Sequence, residues 1–210
     1  LSITRTGGGK VKEVRLKTPL SEEDVRALRI GDAVYLTGTI YQIRLGGHLK
    51  ALECAEKGQG LPFNLENSVI YHAFSSIVRI DSGWKLNYIG ATTSALLNKY
   101  EPPLIRRFKV RGIIGKGGMD RATLEAMREV GCIYLAQVGG ASALYTSKIE
   151  EVQAAYWDEL GAERIFALKV KDFGPLHVGM DAHGDSIYEN VSSAVKKKLP
   201  GIYRALKIIV

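Results

Sequence analysis

Cysteine is scarce in this chain of 210 residues: there are two, Cys54 and Cys132. They stand far apart and have no CxxC or Cys/His spacing, which argues against a structural zinc site or a self-contained iron–sulfur cluster. Cys132 falls in the apolar run Cys132–Ile133–Tyr134–Leu135 and reads as a buried strand thiol. Two thiols without a disulfide framework suit a reducing cytosol, so a cytoplasmic location is expected. No segment approaches the roughly 20 apolar residues of a membrane span. No basic-then-apolar signal sequence opens the chain, although the initial Leu1 suggests that a methionine, or a little more, is missing ahead of it. Repeats, low-complexity stretches and a convincing linker are also absent, so a single domain over 1–210 is expected. There is no GxSxG motif and no Cys–His–Asn order. The loop Gly115–Lys116–Gly117–Gly118 fails as a phosphate loop because Gly117 and Val110 stand where Ser/Thr and Gly are required. It fails as GxGxxG because the third glycine would fall at Asp120.

What is present is an ordinary globular composition, 46% hydrophobic and 24% charged, with a formal net charge of +7. The positive balance points to an anionic partner. The basic clusters Arg106–Arg107–Lys109–Arg111 and Lys196–Lys197–Lys198 are not interleaved with aromatics as single-strand binders require. Nucleic acid is therefore not expected, and the lysine run reads as a solvated helix end.

The pattern along the chain predicts an α/β fold. Lys10–Thr18 alternates as a strand with one wet face, and Ser21 caps a short helix with Asp24 in the capping-box position. Ala33–Ile43 is a β-branched strand, 44–57 an amphipathic helix, Ser68–Phe74 a strand, and 75–90 a hairpin turning at Asp81–Ser82–Gly83. Thr92–Tyr100 forms a short helix stopped before Pro102–Pro103. Val110–Ile114 and Cys132–Gln137 are buried strands flanking the helix Asp120–Val130, which Gly131 ends. A further helix starts near Ser142. Arg164–Lys171 and His177–Asp181 are strands, and Ser186–Leu199 is a helix ended by Pro200–Gly201. Short apolar runs leading into glycines and helices in the last two-thirds predict a parallel sheet with ligands at the strand ends. The first third is more antiparallel in texture.

Several residues could carry chemistry. Glycines around Lys116 let backbone N–H groups turn toward a ligand beside a cation, although such a loop is also a common tight turn. Thr92, Thr93 and Ser94 open a predicted helix, where hydroxyls and free N–H groups receive anions or simply cap the helix. Arg44 and His48 share a helix face at i, i+4 spacing. Arginine can fork a carboxylate and histidine can move a proton. His72 reads as a satisfied, partly buried histidine. His177 and His183 flank Asp181 without metal spacing and read as strand and turn.

Taken in order, a set of segments resembles the β subunit of the class I fumarate hydratase and L(+)-tartrate dehydratase family, a unit that is the C-terminal domain of longer members. The segments are Val34–Tyr41 (VYLTGTIY), His48, Leu61–Phe63, Val69–Tyr71, Ile89–Tyr100 (IGATTSALLNKY), Ile113–Gly118 (IIGKGG), Cys132–Leu135 with Gly139–Gly140, Trp157–Gly161, Val170–Leu176 (VKDFGPL) and Asp181. The resemblance implies a swivelling β/β/α three-layer domain with a mostly parallel central sheet. It implies a hydro-lyase that interconverts fumarate and malate, or acts on a tartrate-type hydroxy acid, only together with a cluster-bearing α subunit in an α2β2 arrangement. The [4Fe–4S] cluster is then carried by that partner, with no metal ligand in this chain. Thr92 and Lys116 match the family's catalytic threonine and lysine, and Arg44, His48, Thr93, Gly115 and Gly117 match its substrate-binding positions. Leu96 and Leu45 depart from the pattern, standing where the family carries Arg and Asp. A non-catalytic binding or regulatory relative of the same fold is the alternative expectation.

Overall fold

The computed structural model describes residues 11–206; the Lys10 start of the predicted first strand and the outermost residues of the predicted 1–210 domain lie outside them. The elements run β1 (Glu13–Lys17), α1 (Glu22–Arg26), β2 (Ala33–Gln42), α2 (Leu45–Glu56), β3 (Val69–Tyr71), β4 (Ala73–Ile80), β5 (Gly83–Ala91), α3 (Glu101–Phe108), β6 (Gly112–Gly115), α4 (Arg121–Val130), β7 (Ile133–Ala136), α5 (Ser142–Thr146), β8 (Ile149–Tyr156), β9 (Ile165–Met180) and α6 (Ile187–Ala205). Short 3-10 segments lie at Ser94–Leu97 and Asp158–Glu163.

Seven strands form a mixed sheet in the order β1-β2-β3-β6-β7-β9-β8, and an additional β2–β9 pairing closes it in a barrel-like way. β1, β2, β3, β6 and β7 pair in parallel. β9 runs antiparallel to β2, β7 and β8. The architecture is thus mixed α/β, and the antiparallel texture belongs to the last third of the chain rather than the first. The physical reason is the connections: α1 and α2 are crossovers that return β2 and β3 in the same direction, whereas β8 and β9 are joined by the 3-10 link over 157–164, which is shorter than a parallel crossover needs. β4 and β5 form the predicted hairpin outside the main sheet.

Side-chain alternation puts a separate core on each face of the sheet. Val69, Tyr71, Ile114, Ile133 and Leu135 pack with Leu36, Leu168 and Phe173 on one side. Ile70, Ile113 and Tyr134 pack on the other with Leu104, Ile105, Leu124 and Met127 from α3 and α4. The predicted capping box and glycine stop hold, and Asp120, expected as the first helical residue, is the N-cap. Ser21 and Asp24 form a reciprocal capping box, Asp120 caps α4 through the Thr123 amide at 2.9 Å, and Gly131 ends α4 in the left-handed region.

Three expectations are corrected. Pro102–Pro103 does not stop a helix but starts one, because proline in the first turn forfeits no intrahelical hydrogen bond. Arg164–Lys171 and His177–Asp181 are parts of one long strand, β9, whose interior Asp172 takes a positive φ of 46° while its N–H bonds Thr37 Oγ1 at 3.1 Å. Helix α6 runs through Pro200 to Ala205. None of its residues is buried, so the carbonyl freed by the proline faces water. Among the described residues no helix is long and apolar enough to cross a membrane.

Candidate active site

The candidate residues are gathered by main-chain hydrogen bonds at the carboxyl ends of the parallel strands. His72, just past β3, donates its N–H to the Ile114 carbonyl of β6 at 2.8 Å and accepts from the Thr92 N–H at 2.8 Å. The Lys116 N–H donates to the Thr92 carbonyl at 3.2 Å, and the Ser94 N–H donates to the Lys116 carbonyl at 3.1 Å. Thr93 and Lys116 thereby form a parallel bridge, which makes a strap of Thr92–Ser94 across the end of β6. On the far side, the Gln137 N–H donates to the Gly115 carbonyl at 2.8 Å. Thr92, Thr93, Gly115, Lys116 and Gly117 therefore occupy one place.

Glycine is required at the center of this arrangement. A Cβ on Gly115 would lie 1.9 Å from Ser94 Oγ and 3.0 Å from the Tyr134 hydroxyl. Gly117 and Gly118 have φ values of 85° and 76°, a region that side chains disfavor. Gly139 faces the lysine stem, because a Cβ there would be 3.8 Å from Lys116 Cδ. Lys116 is half-buried, and among the described residues no carboxylate pairs with it. A half-buried cation on a main-chain scaffold with no internal counter-ion is suited to an anionic ligand.

Arg44 stands at the next strand end, where β2 turns into α2. It is the N-cap residue of α2, and its guanidinium is already engaged: Nη1 lies 2.7 Å from Glu163 Oε1 and 3.2 Å from the Ala162 carbonyl oxygen. The guanidinium also stacks over Phe74, 5.3 Å from the ring center. Phe74 pairs across the hairpin with Gly90, two residues before Thr92, so this is the neighboring stretch of the same rim. The structure thus brings Thr92, Thr93, Lys116 and the glycines together, while Arg44 is turned toward Glu163.

His48 is fully buried. Its Nδ1 is 2.9 Å from the Arg44 carbonyl oxygen and its Nε2 is 3.0 Å from Glu101 Oε2. The i, i+4 relation to Arg44 is therefore made through the arginine backbone, and the imidazole has no open face for a ligand. His72, also fully buried, places Nδ1 3.0 Å from Ser94 Oγ and Nε2 3.1 Å from the same Glu101 oxygen. Burial acts to lower the His48 pKa, but the Glu101 charge and hydrogen bond, the Arg44 carbonyl and Glu163 leave it raised. Burial dominates at His72 and leaves its pKa lowered. Burial opposes ionization of Glu101, yet the two imidazoles hold its pKa down at about 2.

Ser94, from the predicted hydroxyl turn, carries this network together with Glu101 and Tyr134, which were not among the residues singled out from the sequence. The one sequence cue is an acidic residue directly before two prolines at a helix start. Nothing in the spacing places Glu101 against His48, 53 positions away. Leu96, where the resemblance expects Arg, sits 78% exposed on the 3-10 turn, and Leu45 is 43% exposed. Asp181 is a fold residue: buried at the end of β9, its carboxylate accepts the N–H groups of Ile30, His183 and Asp185 at 2.9–3.2 Å.

Comparison with known proteins shows the family of the chain. Residues 2–191 match the family model described as Fumarase C-terminus. The chain is 42% identical over 182 residues to a Methanocaldococcus jannaschii protein named "Putative L(+)-tartrate dehydratase subunit beta", covering 86% of this chain and 93% of that one. It is 32% identical over 187 residues to the L(+)-tartrate dehydratase subunit beta of Escherichia coli K12, covering 88% and 92% of the two chains. It is 34% identical over 188 residues to a Geobacillus stearothermophilus protein named "Putative fumarate hydratase class I", covering 89% of this chain and 35% of that longer one. The chain belongs to the Fumarase C-terminus family.

Proposed function

We propose that this chain is the small, β-type subunit of a two-subunit hydro-lyase that adds water to, or removes it from, a C4 dicarboxylate: fumarate and malate first, a tartrate-type hydroxy acid next. The observation that carries the reading is the strap, which brings Thr92 and a half-buried lysine, unpaired with any carboxylate among the described residues, to one rim. Removing a proton beside a carboxylate builds negative charge on that carboxylate, and a fixed cation stabilizes it most where water is limited. In this reading Lys116 supplies that cation. Gly115 and Gly117 allow the backbone to approach the carboxylate, Thr93 lines the rim beside them, and the Thr92 hydroxyl stands beside the proton being moved. A threonine hydroxyl is a weak base, so a carboxylate from the partner subunit activates it.

Arg44 receives the second carboxylate by exchanging Glu163 for substrate, and His48 supports it from behind. Leu45 and Leu96 withhold an acid and a cation that the family resemblance expects. This leaves Arg44 and Lys116 as the charges that select the substrate.

The cofactor in this reading is a [4Fe–4S] cluster on the α subunit. The thiols of this chain do not fit one: Cys54 lies within α2 and Cys132 just before β7, both free and buried. The chemistry assigned to this chain therefore runs through its own side chains. The same proposal extends to one β-subunit domain over 1–210, to the swivelling β/β/α character that would turn the rim toward the partner, to an α2β2 assembly and to a cytoplasmic location.

Anaerobic reconstitution with the α-type subunit encoded beside it tests the proposal, with turnover of fumarate, malate and tartrate as the readout. Activity that requires both chains is expected. Hydro-lyase turnover by the isolated chain, or no stimulation of any α-type partner, would overturn it.

A further inference from the structure

Beneath the strap lies a polar chain of which the proposed chemistry uses only His48. The Gly118 N–H donates to the Tyr134 hydroxyl at 3.3 Å, and that hydroxyl donates to Ser94 Oγ at 3.0 Å. Ser94 Oγ meets His72 Nδ1 at 3.0 Å. His72 and His48 both turn Nε2 toward Glu101 Oε2, and His48 Nδ1 reaches the Arg44 carbonyl. Ser94, His48, His72 and Glu101 are all fully buried. Glu101 Oε1 has no hydrogen-bond partner, and His72 Nε2, although close to Oε2, is too poorly aligned to form a hydrogen bond. The charge of Glu101 is therefore compensated by the imidazoles alone, and a buried carboxylate without compensation is costly.

The donor and acceptor inventory assigns the protons. A backbone carbonyl only accepts, so His48 Nδ1 carries a proton. A carboxylate only accepts, so His48 Nε2 carries one as well, and His48 is an imidazolium. Ser94 takes its hydrogen bond from Tyr134 and can give its own proton to His72 Nδ1. That leaves His72 neutral, with its N–H on Nε2 facing Glu101.

We infer that Glu101 is a positioning residue for the site: through a buried ion pair with His48 and its contact with His72, it locks the Arg44 helix start and the Thr92–Lys116 strap into one rigid unit. The idea rests on the reading of that rim as a hydro-lyase site, but its local claim about Glu101 stands apart from it. Removing Glu101 would free His48 to lose its Nε2 proton and would remove the anchor that holds the ring, and with it the Nδ1–H bond to the Arg44 carbonyl, in place. It would also unlock the His72–Ser94 contact, which sits directly under the Lys116 carbonyl. The same two imidazoles and carboxylate lie within 4.8 Å of one another and could in principle converge on a metal ion. In the proton assignment above, the Nε2 proton of His48 leaves no lone pair for one.

The test uses the full chain labelled with 15N, read first alone and then with its α partner. Near neutral pH, His48 is expected to show two protonated ring nitrogens and His72 one protonated and one bare. A neutral His48, or a stoichiometric divalent metal that survives purification without added metal, would overturn the assignment. In Glu101→Gln, His48 is expected to become neutral, and the amide resonances of Ser94 and Lys116–Gly118 to move. Unchanged amides there would overturn the positioning role whether or not the chain proves to be a hydro-lyase. In the reconstituted pair the same variant is expected to lose about 10²-fold in kcat, the scale of a displacement near 1 Å, with KM little changed. Wild-type kcat in the variant would contradict the inference. A wild-type pair without turnover would count against the proposed function and leave the nitrogen and amide readouts to decide the role of Glu101. Should the glutamine variant fail to fold, the wild-type nitrogen spectrum still decides the assignment.

Discussion

Lys116 and Arg44 are cations at neighboring strand ends, and they are held in opposite ways. Lys116 sits on a lattice of main-chain hydrogen bonds from β3, β6 and the Thr92–Ser94 strap, with no carboxylate partner among the described residues. Arg44 is held by side chains: Glu163 takes its guanidinium, and Phe74 lies under it. The first arrangement is held in place without a charged partner, as the proposed anion site requires. The second must surrender an ion pair, about 28% and 33% exposed on its two sides, before it can bind an anion. In the proposed function the rim thus contains a fixed subsite and an exchangeable one, and the Glu101 network runs behind both.

The largest effect should come from breaking the fixed half. Gly115→Ala drives a Cβ into Ser94 Oγ, and we expect turnover to be abolished and unfolding stability to fall by about 3 kcal/mol in a urea titration, the upper range for overpacking. Wild-type stability would mean that the strap is not held closely against β6. Next, Lys116→Ala removes the cation while leaving the backbone lattice intact. Turnover should fall by about 10²–10³-fold, as when a preorganized oxyanion partner is deleted, with thermal stability nearly unchanged.

Acid should then reach the network behind both subsites. Glu101 is held below its usual pKa of 4.5, at about 2, by His72 and His48 against the opposing effect of burial. A depressed folded pKa gives stability that is complete above about 4.5 and is lost as pH falls through about 2. A urea titration series should show this loss in the wild type and a reduced loss in Glu101→Gln. His48 contributes in the opposite sense. Its raised folded pKa gives stability that is present below its ordinary value of 6.5 and is lost as pH rises through the raised value. The smallest effect should come from the exchangeable half. Glu163→Gln frees Arg44, so KM should fall by about 5-fold, with stability changed by less than about 1 kcal/mol. A rise in KM would mean that Glu163 positions the guanidinium rather than competing for it.

Local signals were legible because each depends on a few adjacent residues. Ser21 with Asp24, Asp120 with Gly131, and the Asp81–Gly83 turn all lie where the sequence places them. The lysine loop and the threonines stood out in the sequence as candidate anion receptors, and the structure brings them together at the strap. The closure of the sheet was not legible, because the β2–β9 pairing joins segments more than 120 residues apart and depends on no local motif. Pro102–Pro103 misled in the other direction, since proline breaks a helix interior but suits a first turn. Glu101 was hidden for the same reason. Lying between a predicted helix end and two prolines, it gave no hint that it is the buried center of a network between two histidines that the sequence treated separately.

The most direct measurement is a double-mutant cycle on kcat/KM in the reconstituted pair, with Thr92→Val, Lys116→Ala and the double variant. If one rim gathers hydroxyl and cation around a single substrate, each single change should account for most of the loss, and the double variant should be little worse than either. Losses that multiply independently, or a threonine variant with full activity, would mean that the two residues do not serve one center.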